Sequence, residues 1–427
     1  RITQPMYRYD FTYWGSPVTL ASNFALGGVG GLSPDTLSDK YFSWIPTVSN
    51  AGGNWTNETA GTIMDPIKGY CVRAPQTFSP SVSTKVPYTA NFIGTPNNGV
   101  ISSPIYHGTL ALGVNDDKYN LLGNPYPSAL DAQAFLTDPL NTPIIDGTIY
   151  FWTHNSPILA SNPNPFYGTF ALNYNNNDYA AWNSLGAVGF RGIQAGTGGV
   201  VPKGFIASGQ GFFTKSTGTA PTGATVTFNN SMRVAGSNNV FFRNSNASNP
   251  ESRAENTTAD KNRIWLDLIS NGGNFSQILV GYLNDATIGW DRSYDGVPID
   301  ESGMLLYSII PERKLVIQGR PLPFNEEDQV ALGFKSMVQD TYSIGLDAVD
   351  GLFESQNIYI EDRDLNIIHD LKHSPYTFTS GSGTFESRFI LRYTDSALST
   401  DTFNNNTNIA AFISNHELYI NSAKNIV

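Results

Sequence analysis

Cysteine is nearly missing from this sequence: Cys71 stands alone among 427 residues, so no disulfide within the chain can hold a fold together. It lies in Gly69-Tyr-Cys-Val-Arg73, a strand-like run in which a cysteine serves as a small buried hydrophobe rather than a catalytic thiolate. Charge is scarce too. Asp, Glu, Lys and Arg make up only 14% of the residues, and 36 acids against 25 bases give a formal charge of -11. Too few cations remain to neutralise phosphates, which excludes nucleic acid as a partner. No apolar run reaches the ~20 residues that a membrane-spanning helix needs. The first residues carry no signal peptide and enter strand-like sequence at once, as expected of a piece of a longer protein.

What the chain has instead is aromatic residues (12%), 40 glycines and 25 prolines, a composition of short strands and many turns. The length calls for two or three domains. The fold class expected is all-β, with tandem β-sandwich domains of jelly-roll or immunoglobulin-like type. A first β-rich domain is placed at 1–245, a polar linker at 246–262, a second sandwich at 263–394, a further linker at 395–408 and two strand-like pieces at 409–427. The linkers are almost wholly polar and have nothing to bury.

The centre of the first domain is Asn120 to Leu136, NLLGNPYPSALDAQAFL. Pro125 and Pro127 force Asn124 and Tyr126 into extended conformations, so the stretch reads as a rigid, buried corner. It should feed a short helix over 128–136, capped by Ser128. Asn98-Gly99 predicts a tight turn between strands at 88–93 and 99–106.

Chemistry-bearing constellations are sparse. His369 and His373 have the spacing of two zinc ligands on a helix, but no Glu follows His369 and the segment belongs to a hairpin connection, so no metal is assigned. The other histidines are His107, His154 and His416, and His154 beside Trp152 reads as structural. Asp116 with Asp117, Asp300 with Glu301, and Glu326, Glu327 and Asp328 are the carboxylate sets a glycosidase would need, yet all sit in turn-like contexts and read as solvated loop charge. Asn284, Asp285, Asp291 and Asp295 offer oxygen ligands for a loop calcium without the spacing of a helical calcium hand; no other cofactor is expected. No catalytic set emerges. Aromatic rings with polar edges suit sugars, and Asn173 to Trp182, NYNNNDYAAW, is the stretch that would present them, with Tyr179 and Trp182 as contacts to surface glycans.

The blocks YDFTYWGSP (9–17), DKYFSW (39–44), KGYCVRAP (68–75), NLLGNPYPSALDAQAFL, IYFWTH (149–154), IASGQGFF (206–213), FNNSMR (228–233), LVIQGRPLPF (315–324) and RFILRYT (388–394) run in one order along nearly the whole chain. Together they resemble the region upstream of the sorting domain in large surface proteins exported by the type IX secretion system of the Bacteroidota. That group includes gliding-associated adhesins and secreted enzymes. The resemblance implies a non-catalytic stalk, secreted or at the cell surface after export across the outer membrane. It implies that 409–427 begins an immunoglobulin-like sorting domain engaging the outer-membrane translocon and its shuttle protein. Asp35-Thr36-Leu37 and Asp395-Ser396-Ala397 likewise resemble the short O-glycosylation motif of this phylum, with Thr36 and Ser396 as acceptors. The alternative function is a carbohydrate-binding adhesin.

Overall fold

The computed structural model of the chain describes residues 1–47, 55–106, 118–153, 158, 174, 178–189, 202–221, 223–236, 261–301, 303–311 and 313–395, with the backbone of two further strands, Ile409–Ser414 and Glu417–Ser422. The fold is nearly all β, as the composition requires. Residues up to 236 form a first unit, and 261–395 form a sandwich.

The first unit is built on two antiparallel sheets. An N-terminal sheet orders the strands Phe11–Trp14, Tyr70–Arg73, Tyr41–Trp44 and Trp55–Asn57. A central sheet orders Ala187–Val188, Tyr179–Asn183, Ile145–Trp152, Gly211–Ser216 and Tyr119–Gly123. One face of the central sheet packs Leu122, Ile149, Phe151, Trp182 and Phe212 onto the short helix Ala132–Thr137, where Phe135 stacks on Phe228 at 4.8 Å. The two sheets meet backbone to backbone. A Cβ on Gly123 would lie 2.3 Å from the Cα of Gly15, so only glycine allows the approach.

The Asn-Pro-Tyr-Pro corner is as buried as expected: Asn124 and Tyr126 are both 0% exposed. Its prolines cannot donate, and Asn124 supplies the missing bonds. Its Nδ2 donates to the carbonyls of Ser128, Ile206 and Ala207, and its Oδ1 accepts the Tyr126 N–H at 2.9 Å. The helix begins later than the sequence predicts. Ala129–Asp131 is a strand pairing with Phe205–Ile206 and Arg233–Val234, and Asp131, not Ser128, caps the helix by accepting the Ala134 N–H at 3.1 Å. Ser128 instead accepts a bond from Arg233. At Asn98-Gly99 the chain bends, with Gly99 at φ 81, but no hairpin forms there. Val86–Thr89 pairs with Ile2–Met6, and Ile101–Pro104 with Thr225–Phe228.

The sandwich packs a five-stranded sheet on a six-stranded one. In the strand Asn262–Ser270, Ile264, Leu266 and Leu268 point into the core against Leu306, Val330, Leu332, Phe334 and Leu391. The strand Phe275–Leu283 is buried at every position, so both of its faces are covered. One of the crossings between the two sheets is a nearly continuous strand. Arg313–Leu315 lies at the edge of the six-stranded sheet, and after Val316 the chain enters the five-stranded sheet as Ile317–Pro321, parallel to Phe275–Leu283.

Candidate functional site: the junction of the two units

Alternation along the sandwich strands sends a second set of side chains outward, toward the first unit. Trp265, Leu279, Leu283, Leu305, Tyr307 and Ile317 join Tyr13, Cys71, Leu121, Tyr150, Ala181 and Phe213 in one apolar cluster. The N-terminal sheet, the central sheet and the sandwich therefore share a core. Burial of this kind stabilises by roughly 25 cal/mol per Å² of apolar surface removed from water.

Polar contacts lock the same junction. Trp265 Nε1 donates to the Ala187 carbonyl at 2.8 Å, Arg263 Nη1 to the Leu185 carbonyl at 3.1 Å, and Lys261 Nζ to the Ser184 carbonyl at 2.7 Å. Gln277 Oε1 accepts the Gly189 N–H at 2.9 Å. From the sandwich, residues 284–300 lie as a strap across the central sheet. Arg292 donates to the Ile145 and Leu136 carbonyls, while Tyr150 and Tyr119 donate to the Val297 and Pro298 carbonyls. At Gly147 a Cβ would stand 2.1 Å from the Arg292 carbonyl oxygen, so strap and sheet touch through backbone.

Asp295 anchors the strap from within. It is 0% exposed, its two carboxylate oxygens accept the Asp291 and Gly319 N–H groups at 2.7 and 2.8 Å, and burial pushes its pKa up to about 7. Asp291 accepts from Thr287 N–H and Oγ1. Of the four residues expected to offer oxygens to calcium, Asp291 and Asp295 accept hydrogen bonds from Thr287, Asp291 and Gly319. Among the described residues no group of three or more His, Cys, Asp or Glu is placed to share a metal ion.

Tyr179 and Trp182 do not share a face, which corrects the expected aromatic contact surface. They lie three apart in the strand Tyr179–Asn183, and residues three apart in a strand point to opposite sides. Trp182 is 3% exposed in the helix-side core. Tyr179 is half-buried on the junction side, where its hydroxyl meets that of Tyr13 at 2.5 Å and burial raises its pKa above the usual tyrosine value. Further half-buried rings of the first unit lie at Phe11, Phe42, Trp44 and Trp55 of the N-terminal sheet. Trp44 and Trp55 meet edge to face at 5.1 Å.

Thr36 is 7% exposed and donates its hydroxyl to the Arg73 carbonyl at 2.6 Å, so the folded chain withholds it from a glycosyl donor. Ser396 lies outside the described residues, as do His107, His154, His416, Asp116 and Asp117. His369 sits in the edge strand Ile367–Asp370 with Nε2 against the Ser374 carbonyl at 2.8 Å. Cys71 is buried, and burial raises its thiol pKa well above the usual value. Of the carboxylate sets, Glu301 pairs with Lys314 at 3.1 Å, and Asp328 is no free loop charge. It receives Arg320 on both oxygens and the Tyr282 hydroxyl at 2.7 Å. A cleft of about 50 Å³ opens at the junction between Tyr150, Gln277, Pro298 and Asp300, room for little more than water.

Sequence reasoning missed the junction residues, and the signal was present. Phe275–Leu283 is apolar on both alternations except at Ser276 and Gln277, as a strand covered on two sides must be.

The chain is similar to the minor fimbrium subunit Mfa5 of Porphyromonas gingivalis, 22% identical over 406 residues. The match takes in 91% of this chain but spans only 28% of the relative's length. No solved structure matches. Residues 1–393, both units and the junction between them, match the family described as Domain of unknown function (DUF8693), and the chain belongs to that family.

Proposed function

We propose that this chain is a non-catalytic, load-bearing segment of a cell-surface protein of fimbrial or adhesin-like type. The observation that carries the reading is the shared core. Two β units fused through apolar, polar and backbone contacts form a stiff spacer, which suits a part that holds another part away from the cell. The similarity to a fimbrium subunit across 91% of the chain supports a surface role. Within this reading the hairpin Ile409–Ser414 with Glu417–Ser422 opens a sorting domain that engages the type IX translocon and its shuttle protein. Immunogold labelling of intact cells of the source, and of sheared surface fractions, tests the location: label on the surface is expected, and label confined to the cell interior would sink the proposal. Deleting the residues after Asn408 from the full-length protein tests export, with loss of secretion as the expected result.

A second reading, a glycan-binding adhesin, draws on the half-buried rings Phe11, Phe42, Trp44 and Trp55. Glycan-array binding that disappears in Trp55→Ala would favour it.

A further inference from the structure

The sequence contains two Asn-Gly pairs, Asn98-Gly99 and Asn271-Gly272. In such a pair the glycine nitrogen can attack the asparagine side-chain carbonyl carbon, and the absence of a Cβ leaves that nitrogen unhindered. The two pairs are held in opposite ways.

Asn271 and Gly272 form the exposed turn between the strands Asn262–Ser270 and Phe275–Leu283. The Gly272 N–H donates to Asp340 Oδ2 at 3.1 Å, so the nucleophilic nitrogen already faces a carboxylate. Asp340 is fixed on its other side, where Oδ1 accepts the Thr341 N–H at 2.8 Å. Asn271 is anchored through its backbone alone: its N–H donates to the Thr341 carbonyl at 2.8 Å, and its side chain projects into solvent. At the other pair the nitrogen faces no base. The Gly99 N–H points at the amide oxygen of Asn230 at 3.3 Å, Arg233 Nη1 ties down Asn98 Oδ1 at 3.0 Å, and the Gly99 carbonyl accepts the Tyr126 hydroxyl.

We propose that Asn271 is a self-modification site, at which the Gly272 nitrogen closes onto the Asn271 side chain with Asp340 as general base. A hydrogen bond between nucleophile and base is the geometry such a transfer requires. As the bond from Gly272 N to Asn271 Cγ forms, the N–H proton passes to the Asp340 carboxylate. The bond from Cγ to Nδ2 then breaks, and the leaving group takes that proton from Asp340 and departs as ammonia. Water opens the resulting succinimide at one carbonyl or the other, giving aspartate or isoaspartate. No oxidant or reductant takes part. Both products place a new negative charge beside Asp340, and isoaspartate adds a backbone atom to the turn. The turn would loosen at the end of the two strands whose outer faces carry Trp265 and Leu279 into the junction.

The test is peptide mapping by mass spectrometry of the whole chain during incubation at neutral pH. In the folded protein Asn271 is expected to gain one mass unit several-fold faster than Asn98, and the two rates should converge in denaturant. Asp340→Asn keeps an acceptor for the Gly272 N–H but cannot take its proton, and should slow Asn271 several-fold while leaving Asn98 unchanged. Equal rates at the two sites in the folded native sequence would overturn the proposal without recourse to any variant. An unchanged Asn271 rate in folded Asp340→Asn would overturn the role of the carboxylate.

Discussion

Two buried amides of the first unit can be set against the buried charged pairs of the sandwich. Asn124 and Asn141 each satisfy backbone groups from separate segments; Asn141 Nδ2 donates to the Phe135 and Thr227 carbonyls and its Oδ1 accepts the Thr227 N–H at 2.7 Å. The sandwich holds the ion pairs Arg388 with Asp362 at 2.7 Å, Arg320 with Asp328, Arg263 with Asp350 and Arg392 with Glu361. The difference teaches where each half is vulnerable. An amide keeps its bonding at any ordinary pH, whereas a buried ion that loses its partner is left uncompensated.

The sharpest way to break the comparison is at Asp362, which is 0% exposed and accepts from Arg388 and from the Tyr376 hydroxyl. Asp362→Ala should cost about 3–5 kcal/mol in denaturant unfolding, because Arg388 stays buried with only the exposed Asp364, 3.7 Å away, as counter-charge. Replacing both members by apolar residues of similar volume should recover most of that loss. A next, smaller effect is expected from Gly147→Ala, which drives a methyl group into the Arg292 carbonyl. A loss of about 1–3 kcal/mol is expected. Calorimetry should then resolve two transitions in place of one, since the contact broken is the one between the units.

The pH response sharpens the same contrast. Asp295 has its folded pKa pushed up to about 7 by burial, above the unfolded value of 3.8. Its contribution is fully present below the unfolded pKa and is lost as pH rises through about 7, so the melting temperature should fall between mildly acidic and mildly alkaline buffer. Asp295→Asn should flatten that slope; an unaltered slope would remove Asp295 as its cause. Asp362 runs the other way. Burial raises its pKa, but the bonds from Arg388 and Tyr376 outweigh burial and hold it below the ordinary value, so its stabilisation is lost only in acid as pH falls through the folded pKa. The smallest effect is expected at the helix cap of the first unit, where Asp131→Ala should cost about 1 kcal/mol while Ser128→Ala leaves the cap intact.

Much of the fold was legible. Proline chemistry foretold the buried corner at Asn124 and Tyr126, and the short runs at 263–269 and 277–283 foretold strands of the sandwich. The helix start was misread because Ser128 and Asp131 are both good caps, and only pairing with Phe205–Ile206 makes Ala129–Asp131 a strand. The hairpin at Asn98-Gly99 failed because local turn chemistry does not choose partners, and each flanking strand found a distant one. Tyr179 and Trp182 were joined as a site by composition when strand parity keeps them apart. The junction is only half legible: the apolar run of Phe275–Leu283 shows that a second cover exists, but its partners lie some 80 to 180 residues away, as for Trp265 with Ala187 and Tyr119 with Pro298, and no local pattern names them.

The stretch Arg313–Pro321 belongs to both sheets of the sandwich at once. Two sheets joined only by loops can part like the covers of a book, and a shared strand acts as the binding. To open the sandwich on that side, a pulling force must tear either the short ladder between Ser308–Ile310 and Arg313–Leu315 or the longer parallel ladder that runs from Leu279 and Ile317 to Leu283 and Pro321.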